Sequence, residues 1–301
     1  MSSEFTPILR VLQPGLGLTV QDQGRPGWKR FGVPASGAMD PHAARWANRL
    51  VGNPDTHPVL EMAFQGAKLE LLQAAWIGLA GAEQGCAIAS WTARLLGLGT
   101  ILSFPQNQAG VWAYLAVRGE LAVTSFLGSA STETRSGLGT NLTSGDVLCL
   151  RTPTSPWLEV SVTSRRVPTH EMNRHECSDI QVVPGPDWAS FAPQARQHLL
   201  NYPWRVSPQS NRVGYRLEGE PLPVAPLLGS HPNSTSNVPS EPMVLGTVQV
   251  PTSGLPVVVM RDGPTLGGYS KIAVITDEGL ARLAQIRPGR CIRFIEATYG
   301  T

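Results

Sequence analysis

Short apolar runs recur along this chain at intervals too brief for long helices. They fall at 68–72, 76–80, 111–117, 147–151, 158–163, 244–250, 257–260, 272–275 and 291–295, each with Gly, Pro or Asp within two residues of an end. That combination predicts strands: β-branched side chains pack well on a pleated surface, and the bounding residues turn the chain. The cleanest alternation is LEVSVT at 158–163, the period of two that sends successive side chains to opposite faces.

Three segments carry a helical period instead. In the first, Asp40 is an N-cap, Pro41 suits the first helical position, and Ala43, Ala44, Ala47, Leu50 and Val51 form one apolar stripe. Gly52 then supplies the left-handed residue that stops it. A second helix is predicted over 188–200, with Pro193 delaying its start, and a third over 277–285 before the Pro288–Gly289 turn. Many strands and few helices predict a mainly-β fold of barrel or sandwich type. The polar stretch 164–178 reads as a linker, which divides the chain into domains at 1–165 and 166–301, both of ordinary domain size. The stretch 228–241 reads as a surface loop.

Composition refines this picture. Of the 301 residues, 42% are hydrophobic and 15% charged, enough for a core and the opposite of the balance that keeps chains disordered. The 31 glycines and 26 prolines are scattered, as many short strands joined by turns require. Net charge is only +2 with no basic run, so no nucleic-acid partner is expected. No stretch has the length of a signal peptide's apolar region or a membrane span, so the expectation is a soluble cytoplasmic protein with no membrane partner. Cys86, Cys149, Cys177 and Cys291 are too far apart in sequence for a metal knuckle or redox pair. Cys86, Cys149 and Cys291 are read as buried structural thiols.

Standard chemical motifs are mostly missing. There is no GxxxxGK[ST] loop, so ATP is not bound here by that route. Gly15-Leu16-Gly17 opens a dinucleotide-like string that Val20 ends, and reads as a turn. His170 and His175 would lie about 140° apart on a helix, too far round to grip one metal, and no metal site is expected.

Four glycine-rich polar clusters remain. QDQGRPGWKRFGVPASGAMD (21–40) carries Arg25, Ser36 and Asp40, among glycines that let backbone approach a ligand closely. An internal Asp22–Arg25 pair would serve a purely structural connection equally well. NRVGYRLEG (211–219) sets Asn211, Arg212 and Arg216 against buried-type Val213, Tyr215 and Leu217; paired arginines suit carboxylate or phosphate. A solvated strand face is the plain alternative. GTVQVP contributes Gln249. DGPTLGGYSK (262–271) holds Asp262, Thr265, Tyr269 and Lys271 around Gly267 and Gly268, a set suited to proton transfer or anion binding.

In this order, VQDQGRPG, GVPASGAMD, ANRLVGN, NRVGYRLEG, LGTVQVP, DGPTLGGYSKIA and LAQIRPG resemble the signatures of the allophanate hydrolase subunit 2 family, over roughly residues 9–295. That family takes in the C subunit of 5-oxoprolinase, KipA-like proteins and the matching domain of urea carboxylase, and is described as biotin-dependent carboxyltransferase. Leu266, Ser270 and Gly263 depart from the family pattern, and 84–108 matches poorly. The resemblance implies two cyclophilin-like β-barrel domains and an ATP-dependent complex that opens 5-oxo-L-proline to L-glutamate, with subunits B and A as partners and B in direct contact. Under it, Asp262, Tyr269 and Lys271 are expected to handle protons. Arg212 and Arg216 clamp an anion, and Arg25, Ser36, Asp40, Asn211, Gln249, Thr265, Gly267 and Gly268 complete a cleft for the small-molecule substrate. Two other readings follow: carboxyl transfer from carboxybiotin, or a non-enzymatic regulatory partner.

Overall fold

The computed structural model describes residues 5–139, 141–151, 164–172, 178–223 and 239–297. The strand expected at 158–163, most of the loop at 228–241, Cys177 and His175 lie outside them. The chain forms two compact units. Unit 1 comprises Met1–Arg25 and Ser36–Arg174; unit 2 comprises Pro26–Ala35 and His175–Thr301.

Unit 1 holds two sheets around one core. The smaller runs β7 (Ile101–Ser103), β4 (Ala67–Leu71), β1 (Phe5–Pro14) and β9 (Val147–Arg151). The larger runs β10 (Ser164–Arg166), β6 (Thr92–Leu96), β5 (Ala75–Glu83), β8 (Ala109–Val117), β3 (Val59–Ala63) and β2 (Leu18–Gln21). Their shared core includes Leu9, Val11, Leu60, Leu69, Ile77, Phe104 and Leu115.

Helix α1 (Pro41–Val51) packs on this larger sheet. Asp40 caps it by accepting from Ala43 N at 3.1 Å, Gly52 ends it at φ 80°, and all five stripe residues are buried, as the sequence predicts. Gly78 on β5 allows the close approach, because a Cβ there would lie 2.5 Å from Ala47 O.

The stretch read as a linker begins as strand β10, paired with β6, and continues into a short helix, α2 (Thr169–Met172). Its Arg165 is not simply solvated. Arg165 lies over the Trp76 ring at 5.4 Å and donates to Leu50 O, so its long stem packs while its charge stays polar-bonded.

Unit 2 is a closed barrel in the order β11 (Asp179–Pro184), β18 (Ser270–Ile275), β15 (Thr247–Val250), β16 (Val257–Val259), β13 (Gly214–Glu218), β12 (Trp204–Val206) and β19 (Cys291–Glu296). All neighbours are antiparallel except β11 and β19, whose parallel pairing closes the ring and removes the sheet edge. Tyr215 and Leu217 on β13 are buried and Arg216 is exposed, as the alternation predicts.

The second predicted helix forms as α3 (Pro193–Asn201), starting at its proline after a short 3₁₀ turn at Trp188–Ser190. The third is α4 (Asp277–Ala284), capped by Thr276. The fold is therefore mainly β, as expected. The thiols differ from expectation: Cys86 and Cys149 are only partly buried, and Cys291, at the start of β19, is exposed.

Candidate functional site

The second, third and fourth clusters come together on the unit 2 barrel. Asn211 Oδ1 accepts from Val213 N at 2.9 Å and Gly214 N at 3.3 Å, shaping the turn that carries Arg212. Arg212 then grips Asp262 bidentately, Nε to Oδ2 at 2.7 Å and Nη2 to Oδ1 at 3.0 Å. The two backbones are joined as well, Asp262 N donating to Arg212 O at 2.8 Å. Both side chains are largely withdrawn from water, so each charge faces its opposite at close range in place of solvent. Gly263 has a local reason: a Cβ there would lie 2.8 Å from Met260 O, so this backbone leaves no room for the larger family residue.

Beyond this clamp lies a recess of about 440 Å³, within the range of small-molecule sites. Ser207, Arg216, Glu218, Gln249 and Tyr269 line it together with Pro251 and Val257. Arg216 and Tyr269 are exposed to it, Tyr269 by 41%. The recess thus offers a guanidinium, a phenol, an amide and a carboxylate among apolar side chains.

A small flap stands beside it. Strand β14 (Glu241–Pro242) pairs with β17 (Leu266–Gly267), and Met243 N donates to Thr265 O at 2.9 Å. Gly267 packs against the ends of two flexible side chains: a Cβ there would come within 2.8 Å of both Gln249 Nε2 and Met243 Sδ. Gly268 follows and leads to Tyr269. Lys271 is buried, and its Nζ donates to Glu241 Oε2 at 2.8 Å while its backbone N–H donates to Asp187 Oδ2 at 2.7 Å.

Sequence reasoning misses Glu241 and Asp187. Glu241 closes the Ser/Asn/Pro-rich stretch read as a loop, and in the structure it is strand. Lys29 stands out in the sequence only as part of its cluster. It belongs to unit 2 through the segment Pro26–Ala35, and donates to Met243 O at 3.1 Å. Burial, and then the positive charge of Arg261, push its amine below the usual lysine range.

Arg25, Ser36 and Asp40 lie in unit 1, all buried. Arg25 donates to the carbonyls of Ser131 and Phe126. The Asp22 carboxylate, which the purely structural alternative would pair with Arg25, accepts from Gly24 N, Ser129 Oγ, Ala130 N and Ser131 Oγ at 2.6–2.7 Å. Ser36 adopts a left-handed φ of 53°, and Gly37 at 98° lets the Gln23 backbone pass close. Asp40 caps α1, and its N–H donates to Tyr114 Oη at 2.8 Å, which donates in turn to Glu61 at 2.8 Å. Burial first, then the nearby Glu61 and Asp40 carboxyls, hold the Tyr114 phenol well above its ordinary value. Among the described residues no cluster of His, Cys, Asp and Glu is arranged to hold a metal. No helix among them is long and apolar enough to cross a membrane.

Residues 31–296 match the family model for the carboxyltransferase domain, subdomain A and B. The chain is 33% identical to the 5-oxoprolinase C subunit of Escherichia coli (strain K12), across 97% of this chain and 92% of that one. It is similar to the crystal structure of TTHA0988 at 37% identity and a TM-score of 0.82, covering 96% of this chain and 55% of that chain, about half its length. It is also similar to the Kluyveromyces lactis urea carboxylase structure, at 31% identity and a TM-score of 0.85, covering 99% of this chain and 28% of that one.

Proposed function

We propose that this chain, which belongs to the carboxyltransferase domain family of subdomains A and B, works as the C subunit of a cytoplasmic ATP-dependent 5-oxoprolinase. Subunits B and A are its partners, B in direct contact, and the assembled enzyme opens 5-oxo-L-proline to L-glutamate. The observation that carries this reading is the near end-to-end match to the Escherichia coli protein. In the urea carboxylase structure the matching region is 28% of a much longer chain.

A ring amide resists water because its carbonyl is a poor electrophile. Transferring phosphate from ATP to the amide oxygen would open the carbon to attack by water. The C–N bond would then break with the nitrogen leaving as the amine, and a second water would release phosphate from the resulting acyl phosphate to leave the carboxylate. ATP is consumed by the complex, and this chain's part is to bind and orient the small anion. Arg216 and Gln249 would hold the substrate in the unit 2 recess, where donors fixed in advance stabilise developing negative charge. Tyr269 would pass or hold a proton at the recess wall. The Arg212–Asp262 clamp would keep the turn behind these groups in place, a positioning role.

The test is reconstitution. The full chain is co-expressed with subunits B and A, and glutamate release from 5-oxo-L-proline is followed with ATP. Release must fall to background when this chain is left out; undiminished release rejects the reading.

A second reading is favoured by the fold of urea carboxylase: carboxyl transfer from carboxybiotin to an amide nitrogen, with Asp262 or Lys271 taking the proton. Asp262 is held by Arg212 and Lys271 by Glu241, so such a base would first have to leave its partner. Transfer of labelled carboxyl from a carboxylated biotin carrier to urea, dependent on this chain, would support it.

A further inference from the structure

The ion pair at Lys271 is lopsided. The lysine is 4% exposed and belongs to β18 of the closed barrel, whereas the side chain of its partner Glu241 is 52% exposed. A buried ammonium needs a counter-charge, so something anionic must sit at this position. Glu241 supplies it from β14, whose ladder to β17 is only two residues long. Glu241, Pro242 and Leu266 are all exposed. Met243 beside them is buried and anchors the base of the flap, while its short, solvent-facing tip opens at lower cost than barrel strands. The carboxylate can leave far more readily than the lysine can.

Lys271 also lies beside the recess. It stands opposite Gln249 in the β15–β18 register, and directly opposed residues of antiparallel strands share a face. Gln249 itself lines the recess with Arg216 and Tyr269.

We propose that Glu241 is an internal occupant of a carboxylate-binding site. Lys271 Nζ is the seat for the carboxylate of a small ligand, and Glu241 fills that seat until a ligand displaces it together with the β14 flap. This deepens the reading of the unit 2 recess as an anion site and rests on it. It adds selectivity: only a ligand that brings a carboxylate and also bonds within the recess outcompetes a tethered glutamate. In 5-oxo-L-proline the matching group is its one free carboxylate.

The full chain can be tested alone. Acetate and 5-oxo-L-proline are titrated into native protein, Glu241→Gln and Glu241→Ala by calorimetry. An occupant that leaves the site open about a tenth of the time weakens apparent binding roughly tenfold, so both variants should bind about tenfold tighter. Adding Lys271→Met must abolish the gain. The chain has three lysines, Lys29, Lys68 and Lys271, so acylation by a succinimidyl ester, read by mass spectrometry, reports Lys271 separately. Lys271 should be shielded in native protein, reactive in Glu241→Ala, and shielded again by saturating ligand. Equal or weaker binding in the Glu241 variants, a gain that survives Lys271→Met, or unfolding of both Glu241 variants overturns the proposal, the last because Glu241 would then be a structural counter-ion. None of these readouts uses ATP or another protein. A tight-binding variant beside a reconstituted complex indifferent to this chain would sink the 5-oxoprolinase reading alone.

Discussion

The glycine-rich segments at 21–40 and 262–271 look alike as strings, and the fold uses them differently. In the first, the carboxylate of Asp22 and the guanidinium of Arg25 are bonded to the backbone and hydroxyls of unit 1 itself. In the second, Asp262 and Lys271 are paired with side chains, and Tyr269 is left facing a recess. Bonds to fixed backbone make architecture, because backbone cannot move aside for a ligand. Bonds to side chains, one of them on an exposed flap, can be exchanged. Polar, glycine-rich composition therefore marks both places, and only the partners tell them apart.

The largest effect that would test this contrast is Asp22→Ala. Four donors converge on that carboxylate, two of them backbone N–H groups that would lose a charged acceptor. The expected loss is about 3–5 kcal/mol of unfolding free energy, measured by urea titration. A loss below about 1 kcal/mol would mean the cluster is not architecture.

Arg216→Ala should do the opposite. The side chain is exposed on β13, so stability should stay within about 0.5 kcal/mol. The kcat/KM of the reconstituted complex for 5-oxo-L-proline should fall roughly 100-fold, about 2.7 kcal/mol of transition-state stabilisation. A destabilised chain with unchanged kcat/KM would reverse the comparison between the two segments.

A smaller effect is expected at Asp40→Ala, which removes the α1 cap. It should cost about 1 kcal/mol, and Asp40→Asn should restore most of it, because an amide oxygen also accepts from Ala43 N. Equal losses in the two variants would show that Asp40 does something beyond capping.

Legibility followed the range of the interactions. Helix α1 could be read in full because its cap, its first proline, its stripe and its stop all lie within 13 residues. Strand β1 could not, although at ten residues it is the longest described. Pro7 and Pro14 interrupt its pattern, and its pairings slip register between Pro7 and Leu9 and between Val11 and Gln13. Prolines tolerated at such irregularities look, in sequence, like turns. The members of the unit 2 site were likewise visible as residue types. Their partners were not: Arg212 meets Asp262 across 50 positions, and Lys271 meets Glu241 across 30. A pair formed by barrel closure leaves no local spacing to read.

Lys29 gives the smallest effect, and it probes the segment Pro26–Ala35 that unit 2 receives from the N-terminal half of the chain. Burial and Arg261 lower its folded pKa below the ordinary lysine value of 10.5. Between those two values the unfolded chain binds more protons than the folded one, so stability contributed by this group rises with pH. Below that window the charged amine carries its full penalty; above it, none. Lys29→Met has no proton to lose, so its stability relative to native should be most favourable at neutral pH and should decline as pH approaches about 10. Lys29→Arg keeps its charge across the same range and should show the penalty throughout. Urea midpoints of the three proteins, taken stepwise from neutral to alkaline pH, separate these outcomes. Parallel curves for native and Lys29→Met would mean that Lys29 titrates as a solvated lysine, and that its bond to Met243 O does not hold the segment against the barrel.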